Sequence, residues 1–292
     1  MNKPLTVTGK TSLVGLMGWP VEHSLSPIMH NTAFAEIGCD FAYVPLPVRP
    51  DHVEQALKGL AALNFVGSNV TVPHKQAVMR YVDELSEAAR LTGAVNTLYL
   101  EDGKFFGYNT DAYGFLESLK EEDCDPKAMR VAVLGAGGAA RAVVYALARA
   151  GGDSITVLNR TAERAAFLVD DLTEAFPDSL MTFEALTDQA LAALNSQVDL
   201  IVNTTSVGMY PAVDTCPWPA NVPISSQVTF CDLVYNPLET VFLAQARAAG
   251  ARTINGVGML VHQAAFGFEK WTGHAAPIEV MRQACLNKLV GD

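Results

Sequence analysis

Short apolar runs of β type alternate with amphipathic helical stretches along the whole chain, and this alternation restricts the possible folds more than any other feature. It is typical of α/β proteins whose sheets are mostly parallel. A polar stretch at 121–126 interrupts the pattern, which then begins again. The predicted strands are 13–17, 41–46, 65–72 and 94–100 before this stretch, and 131–134, 155–158, 198–203, 228–234 and 253–254 after it.

Local signals predict several helix and turn boundaries. Ser26, followed by proline, is a suitable start for a helix, and Gly38 is a suitable residue just past its end. Asp51 opens a pattern like a capping box, which predicts a second helix. The pair Asp102-Gly103 lies between two strand-like runs and predicts a tight hairpin.

The length of 292 residues exceeds one ordinary core, so two domains are expected. Two helices are predicted at the end of the chain, at 259–271 and 277–290. Because no strand follows them, we expect these helices to pack back on the first domain.

The composition excludes several classes of function. A net charge of −11 argues against a nucleic-acid-binding protein. The five cysteines are scattered and form no C-x-x-C pair, and the histidines form no H-E-x-x-H motif, so we expect no disulfide framework, no metal site and a cytoplasmic location. The N-terminus lacks the apolar core of a signal peptide, and no stretch is predicted to span a membrane.

A glycine-rich loop joins the strand at 131–134 to an alanine-rich helix. It has the G-x-G-x-x-A spacing of a dinucleotide-binding turn, in which the glycines allow a tight bend and a close approach of the backbone to a pyrophosphate. The N-terminus of the following helix offers free N–H groups to that anion. A flexible turn without a ligand remains the alternative. The candidate cofactor residues here are Gly135, Ala136, Gly137, Gly138 and Ala139.

The end of the next strand favours NADP over NAD. NAD enzymes place a carboxylate about twenty residues after the glycine loop, where it accepts a hydrogen bond from the ribose hydroxyl. This chain instead has Asn159-Arg160-Thr161, with Arg164 one turn later. Two guanidinium groups and a hydroxyl suit a 2′-phosphate. Solvated arginines at the start of a helix are the alternative.

Polar residues also follow the strands of the first half. Because strand ends line the ligand crevice of an α/β sheet, these residues are candidates for binding, and their mostly uncharged donors suggest a small polyhydroxylated ligand. Two serines beside a helix N-terminus would suit a carboxylate, although Ser26 could equally be a simple helix cap. The candidates are Ser24, Ser26, Asn69, Thr71, Lys75, Asn96 and Asp111.

Lys75 and Asp111 form the charged pair of this set. Reduction of a ketone by hydride creates an alkoxide, which an ammonium group can protonate and stabilise, and a nearby carboxylate would orient that ammonium. Taken singly, Lys75 could be a surface lysine and Asp111 the N-cap of a helix starting near Ala112. His74 is interpreted as structural. Which of the pair moves the proton is left open.

Nine motifs follow one another along almost the whole chain. They are SLSP (24–27), NVTVPHK (69–75), GAVNT (93–97), NTD (109–111), GAGGAAR (135–141), NRT (159–161), NTTSVGM (203–209), DLVYNP (232–237) and GVGMLVHQ (256–263). Together they resemble the NADP-dependent shikimate dehydrogenase family. Only Ala112, where many relatives carry glycine, departs from the pattern.

The resemblance implies an oxidoreductase that reduces 3-dehydroshikimate to shikimate with NADPH, on the route to chorismate and aromatic amino acids. Its architecture would be an α/β substrate domain (1–112, completed by helices in 259–292) and a doubly wound Rossmann NADP-binding domain (113–258). Lys75 would be the catalytic base. The backbone of Leu233 and Gly256 would flank the nicotinamide, and Asn159 to Arg164 would hold the far end of the cofactor. The substrate would contact Ser24, Ser26, Asn69, Thr71, Lys75, Asn96, Asp111, Tyr235 and Gln263.

The resemblance also leaves alternatives open. The family includes enzymes that act on both quinate and shikimate, some with NAD, and its members are commonly homodimers. A binding module that senses NADPH without chemistry is a different class, but such a module would need neither Lys75 nor Asp111.

Overall fold

The computed structural model describes residues 7–291, and the chain divides into two compact units. The first unit runs through Thr110 and resumes at Val261, and the second is Asp111–Leu260. The elements in chain order are β1 (Ser12–Gly18), α1 (Ser26–Ile37), β2 (Phe41–Pro47), α2 (Val53–Ala62), β3 (Gly67–Val70), β4 (Glu84–Leu85), α3 (Glu87–Thr92), β5 (Thr97–Glu101), β6 (Lys104–Tyr108), α4 (Asp111–Glu121), β7 (Arg130–Leu134), α5 (Gly138–Ala150), β8 (Ser154–Asn159), α6 (Ala162–Ala175), β9 (Leu180–Ala185), α7 (Asp188–Leu194), β10 (Leu200–Asn203), β11 (Thr229–Asp232), α8 (Val241–Ala248), β12 (Arg252–Ile254), α9 (Val257–Thr272) and α10 (Ile278–Gly291).

The first unit contains a mixed sheet with the strand order β2-β1-β3-β5-β6-β4. Strands β2, β1 and β3 run parallel, and β5 is antiparallel to both β3 and β6. The predicted hairpin is confirmed, since β5 and β6 are joined by Asp102 and Gly103, which both have positive φ values (50° and 77°). Positive φ at both central residues is the requirement of a type I′ turn, whose twist matches that of the strands.

Helix α1 begins and ends where the sequence predicts, from Ser26 to Ile37, with Gly38 in the left-handed conformation (φ 71°). The second helix differs from the prediction. Residues 50–52 form a short 3₁₀ turn and α2 begins at Val53, whose preceding residue forms no side-chain cap, so Asp51 does not cap this helix. A 3₁₀ turn ahead of an α-helix satisfies part of the terminal backbone in place of a cap.

The closing helices pack on the first unit, as predicted. Helix α10 lies against α1, where the Cys285 thiol is 3.5 Å from the Met29 sulfur. In the last turn of α9, the indole N–H of Trp271 donates to the carbonyl oxygen of Leu98, at 2.9 Å. These contacts extend the apolar core of the first sheet with two helices from the other end of the chain.

The second unit is built on a fully parallel sheet with the order β12-β11-β10-β7-β8-β9. The chain order reverses between β7 and β10, so this is a doubly wound sheet with a topological switch point at the carboxyl ends of those two strands. The fold class predicted from the sequence is confirmed. Strand β9 was not predicted. It is an edge strand in which only Met181 is buried, and Thr182 interrupts its apolar residues, so it contains no continuous apolar run.

Candidate active site

Polar residues lie close together at the carboxyl ends of β1 and β3, two neighbouring strands of the first sheet. Ser24 follows β1, and Asn69 and Thr71 lie at the end of β3. Gly18 permits this closeness, since a Cβ at Gly18 would lie 2.3 Å from the Thr71 side chain. The parallel register of β1 and β3 therefore brings segments that are distant in the chain to the same edge.

The Asn69 side chain is buried and lies within a hydrogen-bond network. Its Oδ1 accepts from the Tyr43 hydroxyl at 2.8 Å. Its Nδ2 donates to the Thr97 hydroxyl at 3.0 Å and to the Asn96 carbonyl at 3.3 Å. The network fixes which end of the Asn69 amide faces which neighbour.

Asn96 is also buried and is bonded to the residue that precedes Asp111. Its Oδ1 accepts from the Thr110 backbone N–H at 2.7 Å, and its Nδ2 donates to the Thr110 hydroxyl at 2.9 Å. Both asparagine side chains are thus fixed by hydrogen bonds to other groups of the first unit. Their amide groups are therefore held rigidly at the candidate binding site.

The two candidate serines adopt a different arrangement from a simple cap. Helix α1 begins at Ser26 itself, and Leu25 holds the cap position without a side-chain bond, so Ser26 is not the N-cap. Instead Ser24 Oγ accepts from the Ser26 backbone N–H at 3.2 Å. The Ser26 side chain forms a hydrogen bond with Tyr43, which opposes the rise that burial causes in the Tyr43 pKa.

Lys75 is half-buried in the loop after β3, next to the asparagine network. Its carbonyl oxygen accepts from the Val95 backbone N–H at 2.8 Å. The neighbouring His74 is buried, with Nε2 2.7 Å from the Val48 carbonyl oxygen, which fits its interpretation as a structural residue. Asp111 is the first residue of α4 and belongs to the second unit, whereas Lys75 belongs to the first.

The glycine loop of the second unit has the conformation of a phosphate-binding turn. Gly135 has a φ of 112°, and a Cβ there would lie 2.7 Å from the Thr204 hydroxyl, so only glycine fits. By contrast, a Cβ at Gly137 or Gly138 would meet nothing within 4 Å. Protein packing does not demand these two glycines, but a ligand that approaches the backbone at the start of α5 would. The loop therefore fits a dinucleotide pyrophosphate.

The end of β8 fits the adenosine end of the same cofactor. Asn159 Nδ2 donates to the Thr161 carbonyl at 2.9 Å, which shapes the turn into α6. Arg160 and Arg164 are not buried, and within residues 7–291 neither guanidinium group has a carboxylate partner. Two unpaired guanidinium groups at this position suit a phosphate.

The backbone of Leu233 and that of Gly256 approach each other closely. A Cβ at Gly256 would lie 2.2 Å from the Leu233 carbonyl oxygen, so glycine is required there. Tyr235 is half-buried in the turn that follows β11. Gln263 is half-buried in α9, in the part of that helix assigned to the first unit.

Asp232, at the end of β11, is a residue that sequence reasoning missed. Its buried carboxylate accepts from the Asn203 amide, the Val234 backbone N–H and the Thr240 hydroxyl, at 2.9, 3.0 and 2.6 Å. Burial raises the pKa of Asp232, and these hydrogen bonds oppose the rise. The carboxylate joins the ends of two strands to the start of α8. An acidic residue at the end of a buried strand was the available signal.

Three absences apply to residues 7–291. No group of histidine, cysteine or acidic side chains is arranged to hold a metal ion. No helix combines the length and the apolar character needed to cross a membrane. All five cysteines are free thiols.

Three family models match the chain. Residues 16–98 match the shikimate dehydrogenase substrate binding domain, 118–210 match shikimate / quinate 5-dehydrogenase, and 256–286 match the shikimate 5'-dehydrogenase C-terminal domain. The matched ranges cover both units, and they contain most of the candidate residues.

Individual relatives are similar over nearly the whole length. The chain is 47% identical to a shikimate dehydrogenase (NADP(+)) of Methanopyrus kandleri, with 99% of this chain and 100% of that protein covered. A shikimate 5-dehydrogenase structure from Listeria monocytogenes, with shikimate and NAD, has a TM-score of 0.91 at 34% identity, covering 96% of this chain and 98% of that one. The enzyme from Thermus thermophilus, in complex with NADP(H) and shikimate, has a TM-score of 0.85 at 36% identity, covering 95% and 99%.

Proposed function

This chain belongs to the shikimate dehydrogenase family, and we propose that it interconverts shikimate and 3-dehydroshikimate with NADP as the cofactor. The observation that carries the proposal lies at the carboxyl end of β3 in the first sheet. Fixed, uncharged hydrogen-bonding groups are found there, and the loop that follows β3 carries a half-buried lysine. A small ring with several hydroxyl groups and one carboxylate matches such a set of donors and acceptors.

We assign the substrate to the first domain, 1–112 completed by 259–292, and the cofactor to 113–258. The serines would hold the substrate carboxylate, since their hydroxyls lie at the N-terminus of α1, where the helix dipole favours an anion. The other substrate contacts are assigned to Asn69, Thr71, Lys75, Asn96, Asp111, Tyr235 and Gln263.

The reaction removes a hydride from the carbinol carbon of shikimate and a proton from its hydroxyl group. The chemistry that NADP would supply when bound is the acceptance of that hydride, or its return in the reverse direction. The Lys75 amine takes the hydroxyl proton during oxidation, and its ammonium form protonates the alkoxide during reduction. We assign to Asp111 the role of orienting the Lys75 ammonium group. Electrons and protons then balance as shikimate and NADP⁺ give 3-dehydroshikimate, NADPH and one proton.

The cofactor assignment follows from the glycine loop and the two unpaired guanidinium groups. Gly135 to Ala139 would hold the pyrophosphate, and Asn159, Arg160, Thr161 and Arg164 the 2′-phosphate end. Leu233 and Gly256 would flank the nicotinamide with their backbone groups. A carboxylate at the end of β8, which would favour NAD, is replaced here by Asn159.

A matrix of activities tests the proposal. The purified chain is assayed with shikimate or quinate, each with NADP⁺ or NAD⁺, by the absorbance of the reduced cofactor. We expect the highest kcat/KM with shikimate and NADP⁺. A higher kcat/KM with quinate would indicate a quinate dehydrogenase instead. Cofactor binding without turnover of either substrate would indicate an NADPH-sensing module.

Two further assignments accompany this function. We propose a homodimer, by likeness to the family, and light scattering of the purified chain tests it. We also propose a cytoplasmic location, which five free thiols support, because a reducing compartment keeps cysteines unpaired. Fractionation of the source cells tests the location.

A further inference from the structure

Tyr43 is a buried tyrosine to which the sequence assigned no role. It lies on β2 with only 2% of its surface exposed. Its hydroxyl donates to Oδ1 of Asn69, and Ser26 forms a hydrogen bond with the same hydroxyl group. One phenol therefore contacts two residues that we assign to the substrate, one from α1 and one from β3.

The ring and the backbone of Tyr43 are both held by neighbouring residues of α1. The His30 ring stacks on the Tyr43 ring, with 4.4 Å between centroids and planes only 2° apart. Asn31 brackets the Tyr43 backbone, since its Nδ2 donates to the Tyr43 carbonyl at 2.9 Å and its Oδ1 accepts from the Tyr43 N–H at 2.8 Å. Little freedom is left to the phenol.

The position of the His30 ring against Tyr43 is unfavourable for the polar atoms of the imidazole. The imidazole is fully buried, and neither ring nitrogen has a hydrogen-bond partner among the residues that the structure describes. A buried polar group without a partner is unfavourable, and a phenylalanine of similar shape would avoid that penalty. The aromatic ring of residue 30, lying flat on Tyr43, is the part of the side chain that makes contact.

The position of the phenol determines the orientation of the Asn69 amide. The hydroxyl donates, so it takes the Oδ1 end of the amide as its neighbour and leaves Nδ2 for Thr97 and the Asn96 carbonyl. Without the hydroxyl, Oδ1 would lose the donor that faces it, and only the two contacts of Nδ2 would still orient the amide.

We propose that Tyr43 is a positioning residue for substrate binding, which acts by orienting the Asn69 amide and is itself held by the His30 ring. This inference rests on the proposed function and deepens it. It predicts an effect on the KM of shikimate, because Asn69 is assigned to the substrate, and none on the KM of NADP⁺, because the glycine loop belongs to the other unit.

The variant Tyr43→Phe tests the inference, because it removes the hydroxyl and keeps the ring. We expect the KM for shikimate to rise about tenfold, the effect of one buried hydrogen bond, while the KM for NADP⁺ changes less than about twofold. Tyr99→Phe is the matched control. It removes a hydroxyl group in the same unit. Within residues 7–291, that hydroxyl forms a hydrogen bond only with the surface carboxylate of Glu101, at 3.4 Å. This control should leave both KM values unchanged.

A double-mutant cycle separates positioning from general loss of structure. In an Asn69→Ala background, Tyr43→Phe should raise the KM for shikimate less than about threefold, since the amide it orients is gone. Equal effects in both backgrounds, an unchanged KM in Tyr43→Phe, or an equal rise in the KM for NADP⁺ would overturn the inference.

Variants of His30 test the same idea if Tyr43→Phe does not fold. His30→Ala removes the stack and should raise the KM for shikimate, whereas His30→Phe keeps an aromatic ring and should restore it. Equal KM values in these two variants would contradict the inference. If the wild type is active and the KM for shikimate is unchanged in Tyr43→Phe, this inference alone is refuted. If the wild type does not turn over shikimate, the proposed function is refuted, and this inference with it.

Discussion

Among single side chains, Lys75 is the one on which the proposed chemistry depends most. Lys75→Ala removes the group that takes and returns the proton, so kcat should fall about 10²- to 10⁴-fold, the usual contribution of general acid–base catalysis. The KM for shikimate should change little. Steady-state kinetics in both directions measures this.

Lys58→Ala is the control for the loss of a lysine in the same unit. Lys58 is exposed and pairs with Glu54 at 2.7 Å on α2. Its replacement should leave kcat unchanged. A Lys75→Ala variant with near-normal turnover would refute the assigned role.

His30 makes a prediction about stability and pH. Burial among aromatic rings lowers its pKa to about 3, from 6.5 for an ordinary histidine, and the rings that face it (Phe34, Tyr43, Phe268 and Trp271) carry no charge at these pH values. Below pH 6.5 the unfolded chain binds a proton that the folded chain excludes. The free energy of unfolding should therefore decrease by about 1.4 kcal/mol per pH unit as the pH falls from about 6.5 towards about 3.

Urea unfolding of the wild type and His30→Phe between about pH 7 and about pH 4.5 measures this contribution. The free energy of unfolding of the variant should fall less steeply with decreasing pH than that of the wild type, by up to about 1.4 kcal/mol per pH unit. His23→Phe, which replaces an exposed histidine of the same unit, is the control. Parallel pH profiles for the wild type and His30→Phe would contradict the prediction.

At the scale of elements, the turn between β7 and α5 is the segment to which we assign the pyrophosphate of the cofactor. Gly135→Ala places a Cβ 2.7 Å from the Thr204 hydroxyl at a φ of 112°, so it should destabilise the fold by about 1–3 kcal/mol and raise the KM for NADP⁺ at least about tenfold. Thermal unfolding and steady-state kinetics measure the two effects.

Gly151→Ala, at the other end of α5, is the matched control. Gly151 also has a positive φ, of 80°, but a Cβ there meets nothing within 4 Å. This variant should show only the conformational cost, about 1 kcal/mol, and an unchanged KM for NADP⁺. If both variants raised that KM equally, the loop at Gly135 would have no special role.

For the whole molecule, cofactor binding should stabilise the native chain by mass action. NADP⁺ at about a hundred times its Kd should add about 2.7 kcal/mol to the free energy of unfolding, and NAD⁺ at the same concentration should add much less. The doubly substituted variant Arg160→Ala, Arg164→Ala should lose this preference, because both guanidinium groups at the end of β8 are removed. Thermal unfolding with each cofactor measures the shifts. Equal stabilisation by NADP⁺ and NAD⁺ in the wild type would refute the phosphate assignment.

Much of the architecture was accessible from local patterns. The hairpin at Asp102-Gly103, the limits of α1 and most parallel strands were predicted correctly, since buried strands are continuous apolar runs and turns require particular residues. Strand β9 was missed because an exposed edge strand lacks such a run. The cap predicted at Asp51 was wrong because a 3₁₀ turn took its place.

The sequence by itself determined the two α/β sheets, the glycine turn before α5 and the family to which the chain is similar, because each depends on residues close together in the chain. Only the tertiary structure decided how Tyr43, Asn69 and Asn96 are bonded, and that Asp232 joins two strand ends to α8. These partners lie between 8 and 29 residues apart in the chain. Hydrogen bonds between residues that are distant in the chain depend on strand order and register, which bring separate segments together. Local sequence patterns do not specify strand order or register.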